Sequence, residues 1–268
     1  MVGVAMARPM TRTAPGRGHT APAAASAPSR GAPPGRPARI DAIDALRGLA
    51  LCLMFAYHFA FDLRYFGVVA LDFEHDGFWL GFRALILTLF LTLVGMSIVL
   101  ADHNGTTPAR FLRRVTVIAA GAFAATVASI ALFPASFIYF GILHCIVVAS
   151  LLAWPVRRRP RVALAIGAAI VLAELTYASP RFDSMGLSWI GFATYKPVTE
   201  DYVPLVPWAA AVFTGLVLGR VLLRDGFSRL RPLAAAPRAI RWLGRHSLLV
   251  YLVHQPLLMS ALWLLVGR

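Results

Sequence analysis

Seven apolar segments, each close to the length that a helix needs to cross a lipid bilayer, dominate this sequence of 268 residues. The hydrocarbon core of a bilayer is about 30 Å thick, which a helix crosses with about 20 residues. Continuous runs of this length predict helices rather than barrel strands, which are short and alternate between apolar and polar residues. The predicted spans cover residues 46–66, 79–101, 115–133, 137–154, 162–178, 204–222 and 247–266.

The composition argues against a water-soluble protein. Hydrophobic residues make up 59% of the chain and charged residues 14%, against roughly 45–50% and about 25% in soluble domains. One water-soluble core cannot bury this excess, because its surface must stay largely polar. We therefore predict an all-α, polytopic protein of about seven transmembrane helices, with the lipid bilayer as its partner and the inner (plasma) membrane as its location.

The first 38 residues differ from the rest of the chain. Residues 1–38 are rich in Ala, Pro, Gly, Ser and Arg and contain few large apolar side chains. Such a segment buries too little apolar surface to offset the entropy lost on ordering. We expect a disordered cytoplasmic tail here, followed by an integral membrane domain over residues 39–268. The early arginines are not followed by an apolar core, so the tail does not resemble a signal peptide.

The positive charges lie mainly between the apolar runs on one side of the predicted bundle. Of the 26 Lys and Arg residues, 21 fall in the segment ending at Arg47 and in residues 102–114, 155–161 and 220–245. Because positive residues favour the cytoplasmic side, we predict a cytoplasmic N-terminus and, after seven spans, a C-terminus outside. The same placement argues against nucleic-acid binding despite the net charge of +14, since the arginines do not follow one helix face.

The cysteines give no sign of a metal site or a disulfide framework. The chain has two, Cys52 and Cys145, and both lie inside apolar runs without a CxxC motif. We expect two buried thiols and no bound metal.

The first predicted span carries ionisable residues on one face. At 100° per residue, Asp44, Arg47, His58 and Asp62 fall within an arc of roughly 60°. Charged residues inside a span usually face the bundle interior or a wet cavity. His58 lies about 16 Å above Arg47 along the helix axis, and Asp62 follows it by one helical turn, where it could orient the imidazole. The alternative is a structural polar stripe in which Asp44 caps the helix.

Three further polar side chains fall inside predicted spans. Arg83 needs a partner, for which Asp62 and Glu174 lie at a similar depth. A structural ion pair and a substrate contact are both compatible with this placement. His144 and His254 are imidazoles within the bundle that either contact the substrate or make interhelical hydrogen bonds.

Several motifs, taken in their order along the chain, resemble a known family. Asp44-Ala-Leu-Arg47-Gly followed by His58 looks like the opening helix of the membrane acyltransferase type three family. More closely, residues 39–260 resemble small bacterial members of the heparan-α-glucosaminide N-acetyltransferase catalytic-domain family. The other matching motifs are Phe90-Leu-Thr-Leu-Val-Gly95-Met-Ser97, Phe140-Gly-Ile-Leu-His144, Tyr202-Val-Pro-Leu-Val-Pro207-Trp208 and Leu243-Gly-Arg-His-Ser247-Leu-Leu-Val-Tyr251-Leu-Val-His254-Gln255-Pro256.

The resemblance implies transfer of an acyl group, typically acetyl from cytosolic acetyl-CoA, to an outward-facing amine or hydroxyl of a sugar or glycan. Attack on a thioester needs a base and donors for the tetrahedral oxyanion. We expect His58 to act as the base or to form an acyl-imidazole intermediate, with Asp62 holding its tautomer. His75 is the alternative catalytic residue, because it lies near the place of the family's luminal histidine.

We expect other polar residues to bind acetyl-CoA and the acceptor. Arginine suits bidentate contacts to phosphate, which makes the residues near the cytoplasmic boundary candidates for the CoA phosphates. The candidates for substrate or CoA binding are Asp44, Arg47, Arg83, His144 and His254, with Arg113, Arg114 and Arg157–Arg159 as further phosphate ligands or simple topology determinants.

Other functions are compatible with part of the pattern. A polytopic transporter or proton-coupled carrier also uses buried His, Asp and Arg residues, although the unequal spans show no obvious internal repeat. An accessory membrane subunit without chemistry is a further alternative. A retinal protein needs a lysine within a helix, and the one lysine, Lys196, lies in a predicted outer loop. The sequence leaves open whether the chain forms a homo-oligomer.

Overall fold

The computed structural model describes residues 40–266, so the predicted tail over residues 1–38 lies outside the described residues. Within that range the fold is helical, and short 3-10 turns at Pro180–Phe182 and Ser228–Ala235 join some of the helices. The α-helices are α1 (Asp41–Tyr65), α2 (Gly77–His103), α3 (Pro108–Leu132), α4 (Ile142–Val156), α5 (Pro160–Thr176), α6 (Met185–Ser188), α7 (Leu205–Leu223), α8 (Arg238–Arg245) and α9 (Ser247–Val266).

Five of these helices, α1, α2, α3, α7 and α9, are long and apolar enough to cross a bilayer. Helices α4 and α5 have 15 and 17 residues, which is short for a full crossing. Each of the seven predicted spans overlaps one of these seven helices. The prediction of an all-helical, polytopic membrane protein is confirmed, whereas the count of seven crossings and the sides of the two termini stay predictions.

The start of α4 differs from the prediction. We expected a helix from residue 137, but α4 begins at Ile142. The preceding residues instead form a parallel bridge between Phe140 and Tyr202, in which the backbone N–H of Val203 donates to the Phe140 carbonyl at 3.1 Å. The loop before α7 therefore holds this segment in an extended conformation until the helix begins.

Helices α2 and α7 pack with their backbones in contact. A Cβ added at Gly95 would lie 2.1 Å from the Val212 carbonyl oxygen, and one at Gly215 would lie 2.1 Å from the Thr92 carbonyl oxygen. Small residues at membrane helix interfaces allow such close approach, and dispersion contacts then stabilise the pair. The largest buried cluster surrounds this crossing and extends to α4, with Leu91, Cys145, Ala149, Phe213 and Leu216 among its members.

Helix α8 crosses the beginning of α1 in the same way. A Cβ at Gly48 would lie 1.9 Å from the Ile240 carbonyl oxygen, and one at Gly244 would lie 1.8 Å from that of Asp44. This approach brings the arginines of α8 next to the acidic first turn of α1. Arg241 donates to Asp41 at 2.6 Å, so an ion pair reinforces the crossing.

We expect Gly95→Ala to destabilise the protein and Gly81→Ala to leave its stability nearly unchanged. Both glycines lie in α2, but Gly81 has no atom within 4 Å of an added Cβ. Overpacking at the α2–α7 contact should cost about 1–3 kcal/mol. Thermal unfolding of the purified variants in detergent measures the difference, and equal melting temperatures would contradict the close contact.

Candidate functional site

Two imidazoles meet between α1 and α9. The ring centroids of His58 and His254 are 4.9 Å apart, with an interplanar angle of 62°. Phe55 stacks on His254 at 5.4 Å, and the Tyr57 ring meets the edge of His58 at 5.8 Å. Within residues 40–266, the His58 imidazole makes no hydrogen bond to the protein.

The expected hydrogen bond between Asp62 and His58 does not form. Asp62 is completely buried, and its Oδ1 accepts from Nε2 of Gln255 at 2.6 Å. The helical spacing that we used placed Asp62 near His58 on α1 but carried no information about α9. Gln255 comes from that neighbouring helix and binds the carboxylate instead.

Three buried polar atoms on α1 and α9 have no hydrogen-bond partner in the described part of the chain. They are Oδ2 of Asp62, Oε1 of Gln255 and Nε2 of His254. Buried polar atoms without a partner are rare in native proteins and often mark a functional site. His58, His254, Asp62 and Gln255 are called the α1–α9 cluster below.

Arg83 reaches the loop before α7 rather than either predicted acidic partner. Its Nη2 donates to the backbone carbonyl of Tyr202 at 2.6 Å, so the expected pairing with Asp62 or Glu174 is wrong. The preceding residue of the loop is Asp201, whose pKa is raised by burial, while the positive charge of Arg83 partly opposes this rise. Arg83 thus holds the Asp201–Tyr202 segment with both a hydrogen bond and its charge.

Asp201 also caps α4, and the sequence analysis missed it. Its Oδ2 accepts the backbone N–H of Ile142 at 2.9 Å, at the positive end of the helix dipole. The matching motif that we used began one residue later, at Tyr202. The sequence feature that could have pointed to Asp201 is an acidic residue directly before the Tyr-Val-Pro motif. The spatial neighbours of this loop cannot be read from the sequence.

His144 uses both ring nitrogens within the protein. The backbone N–H of Gly141 donates to its Nδ1 at 3.2 Å, and its Nε2 lies 3.4 Å from Oγ1 of Thr126. A side chain at the third helical position that accepts from the cap residue is a known helix-start arrangement. The structure therefore supports the alternative in which His144 makes structural hydrogen bonds between α3 and α4.

His75 lies in the loop before α2, where its imidazole contacts Asp72. Its side chain is 81% exposed, and its Nδ1 lies 3.1 Å from Oδ2 of Asp72. The backbone N–H groups of Glu74 and His75 donate to Asp72 and hold its pKa below the usual range. The arrangement is a solvated loop pair, and none of its residues contacts His58.

Asp44 and Arg47 lie at the other end of α1 from the histidines, as predicted from their spacing. Arg47 donates to Oδ1 of Asp44 at 3.2 Å and to the hydroxyl of Ser97 on α2. Arg245 of α8 donates to the other carboxylate oxygen of Asp44 at 3.3 Å. These contacts tie α1, α2 and α8 together, which supports the structural alternative for Asp44.

A second ion-pair cluster joins α2, the α4–α5 loop and α7 at the same end. Asp102 accepts from Arg157 at 2.9 Å, Arg158 at 2.9 Å and Arg220 at 2.6 Å. Two arginines of the 157–159 run are therefore already paired. A buried carboxylate with three cationic partners indicates a structural ion-pair cluster rather than a phosphate-binding site.

A cavity of about 250 Å³ opens beside these clusters, between α2, α3 and α4. Its apolar lining includes Val94, Ile98 and Phe111, and Arg110 and Arg114 line it at the beginning of α3. Neither guanidinium has an ion pair or hydrogen bond with the described residues. Arg114 was predicted as a phosphate ligand, whereas Arg110 was missed because nothing in the sequence separates it from the other loop arginines.

Comparison with known proteins gives one family. A family model described as heparan-alpha-glucosaminide N-acetyltransferase, catalytic, matches residues 39–256, which is more than half of the chain. No curated protein and no solved structure matches the chain. The matched region contains every residue of the α1–α9 cluster and both cavity arginines.

We expect the Asp62–Gln255 pair to show energetic coupling in a double-mutant cycle. Asp62→Leu or Gln255→Leu alone leaves a buried polar partner unsatisfied, which costs about 1–3 kcal/mol. The double variant removes both polar groups, so its loss of stability should be smaller than the sum of the single losses. Chemical unfolding of the purified proteins measures the coupling, and strictly additive losses would show that the two side chains do not interact.

Proposed function

Because the chain belongs to the heparan-alpha-glucosaminide N-acetyltransferase catalytic family, we propose that it transfers an acetyl group from acetyl-CoA to an amine or hydroxyl of a sugar. Family membership and the apolar helices together indicate a multi-pass membrane N-acetyltransferase. Beyond this class, we propose the identity of the acyl donor, the class of the acceptor and the side of the membrane from which each approaches. Its main support is the His58 imidazole, which lies in the bundle beside unpartnered polar atoms.

His58 acts as the general base in this proposal. The acceptor nitrogen or oxygen attacks the thioester carbonyl carbon while a neutral His58 nitrogen takes the acceptor's proton. The tetrahedral intermediate then expels the CoA sulfur as the carbon–sulfur bond breaks. The imidazolium of His58 returns the proton to the thiolate, which leaves free CoA thiol, the acetylated acceptor and a neutral His58.

The cavity between α2, α3 and α4 is our proposed entrance for the donor. The phosphates of CoA need cationic partners, and the fork of a guanidinium matches phosphate oxygens. Arg110 and Arg114 carry no ion pair with the described residues and lie beside apolar walls that suit the slender pantetheine arm. The pantetheine arm must then carry the thioester about 16 Å along the α1 axis, from the level of Arg47 to that of His58.

The two ends of the bundle differ in charge, which supports a direction for the reaction. Arginines concentrate where α1, α3, α5 and α9 begin, and few positive residues lie at the opposite end. By the positive-inside rule the arginine-rich end is cytoplasmic. Acetyl-CoA then enters from the cytoplasm, and the acceptor reaches His58 from the outside of the cell membrane.

Replacing His58 should abolish acetyl transfer. Removal of a general base typically costs about 10²–10⁴-fold in rate, so we expect His58→Ala to lose at least about 100-fold while still folding. The assay is release of CoA thiol from acetyl-CoA with glucosamine as the acceptor. His75→Ala is the control and should keep wild-type activity, because His75 is exposed and its imidazole contacts Asp72 rather than His58.

The opposite result, a dead His75→Ala and an active His58→Ala, would assign the base to His75. A wild-type protein that transports a solute but releases no CoA thiol would support a carrier and contradict the proposed reaction.

The cavity arginines should determine affinity for the donor. We expect Arg110→Gln and Arg114→Gln each to raise the KM for acetyl-CoA about tenfold or more, since charged hydrogen bonds contribute about 1.5–3 kcal/mol. Arg113→Gln is the matched control, because Arg113 lies on the same helix and is exposed but does not line the cavity. An equal KM for all three variants would place the CoA phosphates elsewhere.

A further inference from the structure

The hydrogen bonds of His254 fix which of its nitrogens carries the proton. Its Nδ1 contacts the backbone carbonyl of Tyr251, one turn earlier on α9. A carbonyl oxygen only accepts, so Nδ1 carries the hydrogen and donates it. In a neutral imidazole the other nitrogen then holds a lone pair. Nε2 of His254 is therefore an acceptor, and it is buried without a partner within residues 40–266.

His58 is the ring neighbour of His254 that can supply a ring N–H. Two other rings contact His254: Phe55 has no donor, and Tyr251 offers a phenol O–H rather than a ring N–H. Nε2 of Gln255 already donates to Asp62. At a centroid distance of 4.9 Å, a rotation of the His58 imidazole brings one of its nitrogens within hydrogen-bonding reach of Nε2 of His254.

We propose that His254 is the positioning residue for the catalytic imidazole. One ring nitrogen of His58 donates its hydrogen to Nε2 of His254, so the other nitrogen of His58 keeps its lone pair for the acceptor. This assignment rests on the proposed function of His58 and gives His254 the orienting role that the sequence suggested for Asp62.

The same contact stabilises the step in which His58 gains a proton. The imidazolium has two N–H groups, and its hydrogen bond to Nε2 of His254 becomes charge-assisted, which makes it roughly twice as strong as a neutral one. This hydrogen bond becomes stronger only as His58 takes up the proton, and not when the substrates bind. It therefore lowers the barrier rather than tightening the binding of acetyl-CoA. No proton has to move to His254 itself.

Two variants of His254 test this role. His254→Phe keeps a ring of similar size but has no lone pair, and His254→Gln places an oxygen acceptor close to the position of Nε2. We expect His254→Phe to lower kcat about 100-fold with the KM for acetyl-CoA changed by less than about twofold. His254→Gln should keep kcat within about tenfold of wild type. A wild-type kcat for His254→Phe, or equal losses for both variants, would overturn the proposal.

A second measurement depends neither on the folding of the His254 variants nor on catalytic turnover. Nitrogen-15 NMR of histidine-labelled protein in lipid bilayers reports whether each ring nitrogen is protonated. We expect one unprotonated, hydrogen-bond-accepting Nε2 at His254, whose resonance shifts in His58→Ala because the donor is gone. An unshifted resonance contradicts the contact. A wild-type protein with this NMR signature but no CoA release would contradict the proposed function alone.

Discussion

The structure depends on one constraint, which is that an ionisable group inside an apolar bundle must be paired or neutral. At the arginine-rich end, the acidic residues of α1 and α2 satisfy it by pairing. Asp102 has three arginine partners, and Asp41 and Asp44 are held by Arg241 and Arg245. Leaving any of these charges unpaired would be costly, because desolvation is no longer offset. The ion pairs therefore fix how α1, α2, α7 and α8 meet.

Close backbone contact and ion pairing act together at that end. Glycines let α2 approach α7 and let α8 approach α1, and short helix separations bring the charged side chains within hydrogen-bonding range. The opposite end has no comparable set of ion pairs among the described residues. There the polar groups of the α1–α9 cluster are only partly satisfied, with three buried atoms lacking partners. Ion pairs thus hold one end of the bundle together, whereas the polar atoms of the α1–α9 cluster keep unused hydrogen-bonding capacity.

Much of the fold follows from the sequence, because apolar runs report directly on helices in a bilayer. The helical spacing on α1 also selected His58, since that pattern depends on one helix alone. Contacts between distant segments could not be read in this way. Gln255 binds Asp62 across 193 positions, and Asp201 caps α4 from the loop before α7. Arg110 was missed for a different reason, because its role depends on a cavity formed by three helices.

The choice of partner for His58 has a physical reason in such a bundle. A buried carboxylate needs a hydrogen-bonding partner of its own, which for Asp62 is Gln255. A neutral imidazole buries no charge in the resting state and still accepts a hydrogen bond. His254 therefore meets the orienting requirement at a lower desolvation cost than a free carboxylate. The two imidazoles then carry charge only while His58 holds the acceptor's proton, between attack on the thioester and departure of the thiol.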